Sequence, residues 1–199
     1  MTIRIPRFTR SERAAHWLLA AAFFTMLLSG GQVPHRWTWT TPALDVHVGA
    51  GLVLIGGLLL LTLRGRALAG TARELSTRLD RGDRAWLSPR RVLTRRPAPP
   101  AGRFNAGQKL NSRLLALGLA GLYATGGWLL LAGHQLPGDL HGPFAFVTTV
   151  LVGGHIFMAV VNPSTRHAMV GMTLGWVDRE WALHHHRRWV RRMEDERSG

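Results

Sequence analysis

Four of the ten histidines lie in or at the edge of apolar runs: His16, His47, His141 and His155. A neutral imidazole presents one nitrogen lone pair while its other nitrogen carries a proton, so these residues can ligate a metal centre, pass a proton or hydrogen-bond at an interface. His141 and His155 are fourteen residues apart in one apolar stretch. A helix would set them roughly 21 Å apart along its axis and on nearly one face. Ionisable groups in a membrane span are rare and mark functional sites. Two depths on one helix call for partners on others, and His16 and His47 supply them.

The elements that must position these histidines are four apolar runs, 14–31, 43–63, 112–132 and 142–162. Each is near the ~20 residues that a helix needs to cross ~30 Å of hydrocarbon. The first is expected to be retained rather than removed as a signal peptide, because three comparable runs follow it. Ser11 is a possible cap for the first helix. Trp37 and Trp39 are expected at the outer membrane interface. The glycines of the second run (Gly49, Gly51, Gly56, Gly57) suit close approach of a helix or a flat ligand. A connection spanning 64–111, with an amphipathic helix near 71–79, and a tail spanning 163–199 complete one domain, 1–199.

Net charge is +14 on 199 residues, with 25 Lys and Arg. Four of these precede the first run, thirteen fall between Arg64 and Arg113, and seven follow the fourth run; only Arg36 lies elsewhere. Such asymmetry places both termini and the middle connection in the cytoplasm. Topology and anionic membrane lipid account for the charge, and nucleic acid is not expected as a partner. The absence of cysteine excludes disulfides, thiolate chemistry and an iron–sulfur cluster held by this chain. Zinc motifs that need cysteine and a G-x-S-x-G nucleophile are likewise missing.

This topology sorts His16 and His155 to the inner side and His47 and His141 to the outer side. Two pairs at two depths suit two haem b groups, each with two axial imidazoles. The fold class expected is an all-α membrane protein: a four-transmembrane-helix bundle with cytoplasmic N- and C-termini, binding two b haems. The competing reading is a haem-free membrane anchor whose histidines satisfy interface polarity. His35 and His134 read as loop residues. His184, His185 and His186 could hold a metal, but a tail contacting headgroups or a partner is favoured.

R-A-A-H-W at Arg13 to Trp17, F-N-A-G-Q-K at Phe104 to Lys109, the histidine pair in the fourth run, and Trp181, His185, His186 and Trp189 in the tail appear in this order. Together they resemble the cytochrome b (gamma) subunit of membrane-bound respiratory formate dehydrogenase. The resemblance implies cytoplasmic-side haem ligation by His16 and His155 and periplasmic-side ligation by His47 and His141. It also implies contact of Asn105, Gly107 and Gln108 with menaquinone or ubiquinone, the alternative being that this stretch only turns the chain into the third long helix with Asn105 as its cap. The partners implied are an iron–sulfur (beta) subunit and, through it, a catalytic formate dehydrogenase (alpha) subunit, in the bacterial cytoplasmic (inner) membrane. Formate oxidation would then belong to the partner. A cytochrome b561-like protein, or the cytochrome b of another dehydrogenase or reductase, is the alternative within the redox class.

Overall fold

A computed structural model describes residues 3–31, 42–64, 66–94, 96–133, 136 and 138–199. Trp37, Trp39, His35 and His134 lie outside the described residues. The chain divides into two compact units, Phe8–Ala72 and Met1–Arg7 with Arg73–Gly199.

In the first unit, α1 (Arg10–Gly30) and α2 (Pro42–Arg64) form an antiparallel hairpin, with α3 (Arg66–Ser76) beginning beyond it. Helix α1 starts in a capping box. The Thr9 hydroxyl accepts from Glu12 N–H at 3.3 Å, and the Glu12 carboxylate accepts from Thr9 N–H at 2.7 Å. The cap is therefore Thr9, and Ser11 lies inside the helix. The Thr71 hydroxyl donates to the second Glu12 oxygen. Buried Ala15, Ala22 and Ser29 recur every seven residues and line one side of α1. Against α1, a Cβ on Gly57 would come within 2.5 Å of Leu18 Cδ2. Meanwhile Leu52, Val53, Ile55 and Leu59 face outward. Leu44 and Leu54 of α2 are buried as well, but small residues at the contact and many large ones outside are common in helices that associate in lipid, where burying a leucine against another helix gains little over leaving it in acyl chains.

The second unit repeats this arrangement in α6 (Ala106–Ala132) and α7 (His141–Ile156), which is preceded by a 3-10 turn at Gly138–Leu140 and continued by a π-helical turn at Phe157–Val161. Beta-carbons placed on Gly118 and Gly121 would come within 2.5 Å of Thr148 Oγ1 and Phe144 Cε1, so the helices approach closely there. Leu117, Leu131, Phe146, Val147 and Val150 face outward. Among the described residues, three helical segments are long and apolar enough to cross a membrane: Pro42–Leu63, Ala106–Ala132 and Gly138–Val161. Helix α1 is 21 residues long, but Arg10, Ser11, Glu12, Arg13 and His16 restrict its apolar part to its later turns.

Short elements surround the start of α6. Helices α4 (Arg81–Leu87) and α5 (Pro89–Leu93) lie in the connection. The tail holds α8 (Ala168–Leu174), α9 (Arg179–His185) and α10 (Arg187–Ser198). Helix α8 stops at Gly175, whose φ of +93° suits glycine. Its carbonyl accepts from Arg7 N–H at 2.8 Å. Two strands absent from the all-α expectation, β1 (Arg4–Pro6) and β2 (Trp176–Asp178), pair antiparallel with Ile5 opposite Val177. Ile5, Val177, Ala182, Trp189 and Val190 form a buried cluster on this ribbon. The apolar side of α10 is thus used within the chain and is not laid on a membrane. The helix expected at 71–79 is α3, and it ends at Ser76 before reaching the expected limit.

Candidate functional site

His47 stands on the second turn of α2, opposite the end of α1. Its Nδ1 lies 2.8 Å from the Met26 carbonyl oxygen, with Ser29 Oγ at 3.4 Å. A carbonyl only accepts, so Nδ1 carries the proton and the lone pair is on Nε2. A Cβ on Gly30 would meet the imidazole at 3.0 Å from Cε1 and 3.1 Å from Nδ1. Glycine there leaves the ring its position.

His141 opens α7 in the same chemical setting, built from different residues. Its Nδ1 is 3.0 Å from Thr125 Oγ1, whose own proton goes to the Gly121 carbonyl at 2.7 Å. The hydroxyl oxygen therefore accepts from Nδ1–H, again leaving the lone pair on Nε2. A Cβ on Gly126 would fall 3.1 Å from Cε1 of this ring. An axial haem ligand needs such an imidazole: neutral, with one nitrogen protonated and held so that the other is presented in a fixed direction. These two residues fit that requirement on the geometry of their own units.

His16 lies on α1, its ring edge-on to Trp17 at a centroid distance of 5.4 Å. Fourteen residues separate it from Gly30, which packs on His47, so the two histidines of this unit stand roughly 21 Å apart along α1. The same spacing along α7 separates His141 from exposed His155. A Cβ on Gly153 or Gly154 would meet nothing within 4 Å, so close packing inside the chain does not explain these two glycines. The π-helical turn follows at once, with Asn162 N–H donating to Phe157 O at 2.9 Å. Such turns interrupt α-helices frequently at functional sites.

Asn105, Gly107 and Gln108 come together at the start of α6. The Asn105 side-chain oxygen accepts from Gln108 N–H at 2.9 Å, and the Gln108 side-chain oxygen accepts from Asn105 N–H at 3.0 Å. Both amide oxygens thus serve a reciprocal cap, while each NH2 group remains a donor. The cap and a ligand contact are compatible. Gly107 lies under Trp86 of α4: a Cβ there would come within 2.9 Å of Cη2 and 3.1 Å of Cζ3. Beside it, Lys109 Nζ and Asp83 Oδ2 form a 2.7 Å ion pair whose side chains are 11% and 6% exposed. Neither Trp86 nor Asp83 stands out in the sequence, since nothing in their spacing indicates that α4 covers α6.

The tail histidines form no metal cluster among the described residues. His186 is 2% exposed; its Nδ1–H donates to Gly102 O at 2.8 Å, and its Nε2 accepts from Arg7 Nη2 at 3.0 Å. Burial, then the Arg7 charge, pushes the imidazole down to about 3. Burial and nearby Arg103 lower Arg7 to about 9, which still leaves it charged at neutral pH. Arg7 also lies over the rings of Trp181 and Trp189, at 5.2 and 5.8 Å from the centroids. His185 stacks on Trp181 at 4.7 Å. The tail residues carrying the resemblance therefore tie the N-terminal strand, the segment before α6 and the tail together.

The cytochrome b556(fdo) subunits of formate dehydrogenase from Escherichia coli K12, O6:H1 and O157:H7 are each 26% identical to this chain over 208 residues. The alignments cover 95% of this chain and 93% of each relative. A family model, prokaryotic cytochrome b561, matches residues 7–175, a stretch that contains all four candidate histidines and the α6 cap but ends before β2. With most of its length matched, the chain belongs to the prokaryotic cytochrome b561 family.

Proposed function

We propose that this chain is the membrane-anchoring di-haem cytochrome b subunit of a formate dehydrogenase complex. It carries electrons from a periplasmic iron–sulfur (beta) subunit, itself fed by a catalytic (alpha) subunit, to menaquinone or ubiquinone near the cytoplasmic face. The observation that supports this most is the matched setting of His47 and His141, each with Nδ1–H directed to an oxygen acceptor and a glycine beside the ring. Near full-length similarity to formate dehydrogenase cytochrome subunits supports the donor complex.

His47 and His141 would hold one haem b towards the periplasm, and His16 and His155 another towards the cytoplasm. Haem, when bound, supplies reversible one-electron transfer at iron. The chain's own part is to fix the imidazole tautomers, surround the sites with apolar helices and keep water away from them. Helix α1 would serve as the fourth span beside the three long apolar segments, with both termini and the 64–111 connection in the cytoplasm of a bacterial inner membrane. At the start of α6, Asn105 and Gln108 NH2 groups and the Gly107 backbone would contact quinone carbonyls. Quinone takes up two electrons and two protons to become quinol, and the protons would enter from the cytoplasm.

The experiment is reduction of the purified complex by formate. His155→Ala should lose the cytoplasmic-side haem and quinone reduction while the other haem stays reducible; His47→Ala should block electron entry. Retention of both haems in either variant would contradict that ligand's assignment. A preparation without haem despite adequate supply would favour a haem-free anchor, and stable isolation without an iron–sulfur protein would favour a stand-alone b561-like role.

A further inference from the structure

Helix α10 buries Trp189 and Val190 within its own unit, and on its other side exposes Arg187, Arg188, Arg191 and Arg192. With Pro100 and Asp195 these line an open groove of about 480 Å3. Asp80 pairs with Arg188 at 2.9 Å. Among the described residues, no carboxylate forms an ion pair with Arg187, Arg191 or Arg192.

Opposite charges one turn apart, Arg191 with Asp195 and Arg192 with Glu196, favour this order in part, but neither pair closes to an ion pair among the described residues, and the rest of the charge order opposes the helix. Arg187 with Arg191, and Arg188 with Arg192, are like charges one turn apart, which repel. The arginines occupy the N-terminal half of α10, whereas Glu194, Asp195 and Glu196 occupy the other half, the reverse of what the helix dipole favours. An anion held among the arginines offsets both costs. Arg188 N–H donates to Ala101 O at 3.1 Å, so the groove is fixed beside the segment that enters α6, one of the long apolar helices. That level is where headgroup phosphates are concentrated. With its apolar side already buried, α10 has only charge with which to engage them.

We propose that this groove binds the phosphate of an anionic phospholipid headgroup, with Arg187, Arg191 and Arg192 donating to its oxygens and Arg188, fixed by Asp80, forming a wall. The lipid source rests on the membrane topology proposed above. The test titrates the detergent-purified full chain, with its cofactors, against short-chain phosphatidylglycerol, short-chain phosphatidylcholine and inorganic phosphate, read by native mass spectrometry. Relative to wild type, Arg187→Gln/Arg191→Gln/Arg192→Gln should bind phosphatidylglycerol about tenfold more weakly or worse. Near-UV circular dichroism of the tail tryptophans checks its folding. If the triple variant does not fold, Arg191→Gln and Arg192→Gln are tested singly, each with about a threefold loss expected.

Phosphatidylcholine should bind equally weakly to all variants, and inorganic phosphate should compete only in large excess. Equal phosphatidylglycerol affinity in folded variants and wild type would overturn the proposal. Competition by inorganic phosphate at equal concentration would overturn the lipid source. Topology is read separately with Ser198→Cys, the single thiol in an otherwise cysteine-free chain. Labelling from the periplasmic side would overturn the topology, while the titration still judges the groove.

Discussion

Thr125 and His141 are joined by one hydroxyl that faces two ways: it donates to the Gly121 carbonyl at 2.7 Å and accepts from His141 Nδ1–H at 3.0 Å. A side-chain-to-backbone bond within α6 thus fixes the orientation of a ring on α7. Thr125→Val keeps the shape and removes the acceptor. The haem proposed at His141 should then bind about 10–100-fold more weakly, measured as haem retained on dilution. Thr149→Val is the control, because the Thr149 hydroxyl only donates to the Ala145 carbonyl. Equal loss in both variants would contradict a specific role for Thr125.

Asn105 combines a cap with the proposed quinone contact, and two substitutions separate these. Asn105→Ser retains a side-chain oxygen for Gln108 N–H but has no NH2 group. Asn105→Ala loses both and should cost about 1 kcal/mol through the cap. Quinone turnover is expected to fall in both with haem content unchanged, whereas thermal stability should fall only in the alanine variant. Full turnover in Asn105→Ser would reduce the residue to a helix cap.

Lys109→Met should be costly for a different reason. It would leave the buried Asp83 carboxylate without the ammonium that now sits 2.7 Å away. Breaking one partner of a buried ion pair costs about 3–5 kcal/mol. The melting temperature in detergent should drop clearly, and Asp83→Asn added to Lys109→Met should recover part of the loss. An unchanged melting temperature in the single variant would show that Asp83 has another charge partner.

Acid should loosen the tail through His186. Its folded value of about 3 lies below the ordinary 6.5, so the unfolded tail binds a proton that the folded tail resists. The contribution to stability is complete above about pH 6.5 and is lost progressively as pH falls towards 3. Limited proteolysis of the tail, by a protease active across that range, should accelerate with acid. His186→Gln should flatten the dependence.

The long apolar helices were legible in the sequence, since apolar length is a local signal. The α6 cap was legible too: Asn105 and Gln108 have the spacing of a capping box. What was not legible depends on tertiary contact. Residues 4–6 and 176–178 are too short and too ordinary to suggest strands, and they become strands only because the tail returns to the N-terminus. Arg7 reads as one more topology-setting charge until His186 and Trp181 are seen around it. Likewise, the charged, Trp-bearing tail suggested contact with lipid headgroups or a partner, whereas Trp189 and Val190 are buried within the chain. Amphipathicity shows that a face is buried, not what buries it.

The central claim is tested most directly by the haem content of the detergent-purified chain, from a pyridine haemochrome assay with a reduced-minus-oxidised spectrum, for wild type and for His47→Ala and His155→Ala. Two haem b per chain, falling to one in each variant, is the result expected. No haem in wild type made with adequate haem supply, or two haems retained in either variant, would contradict the account.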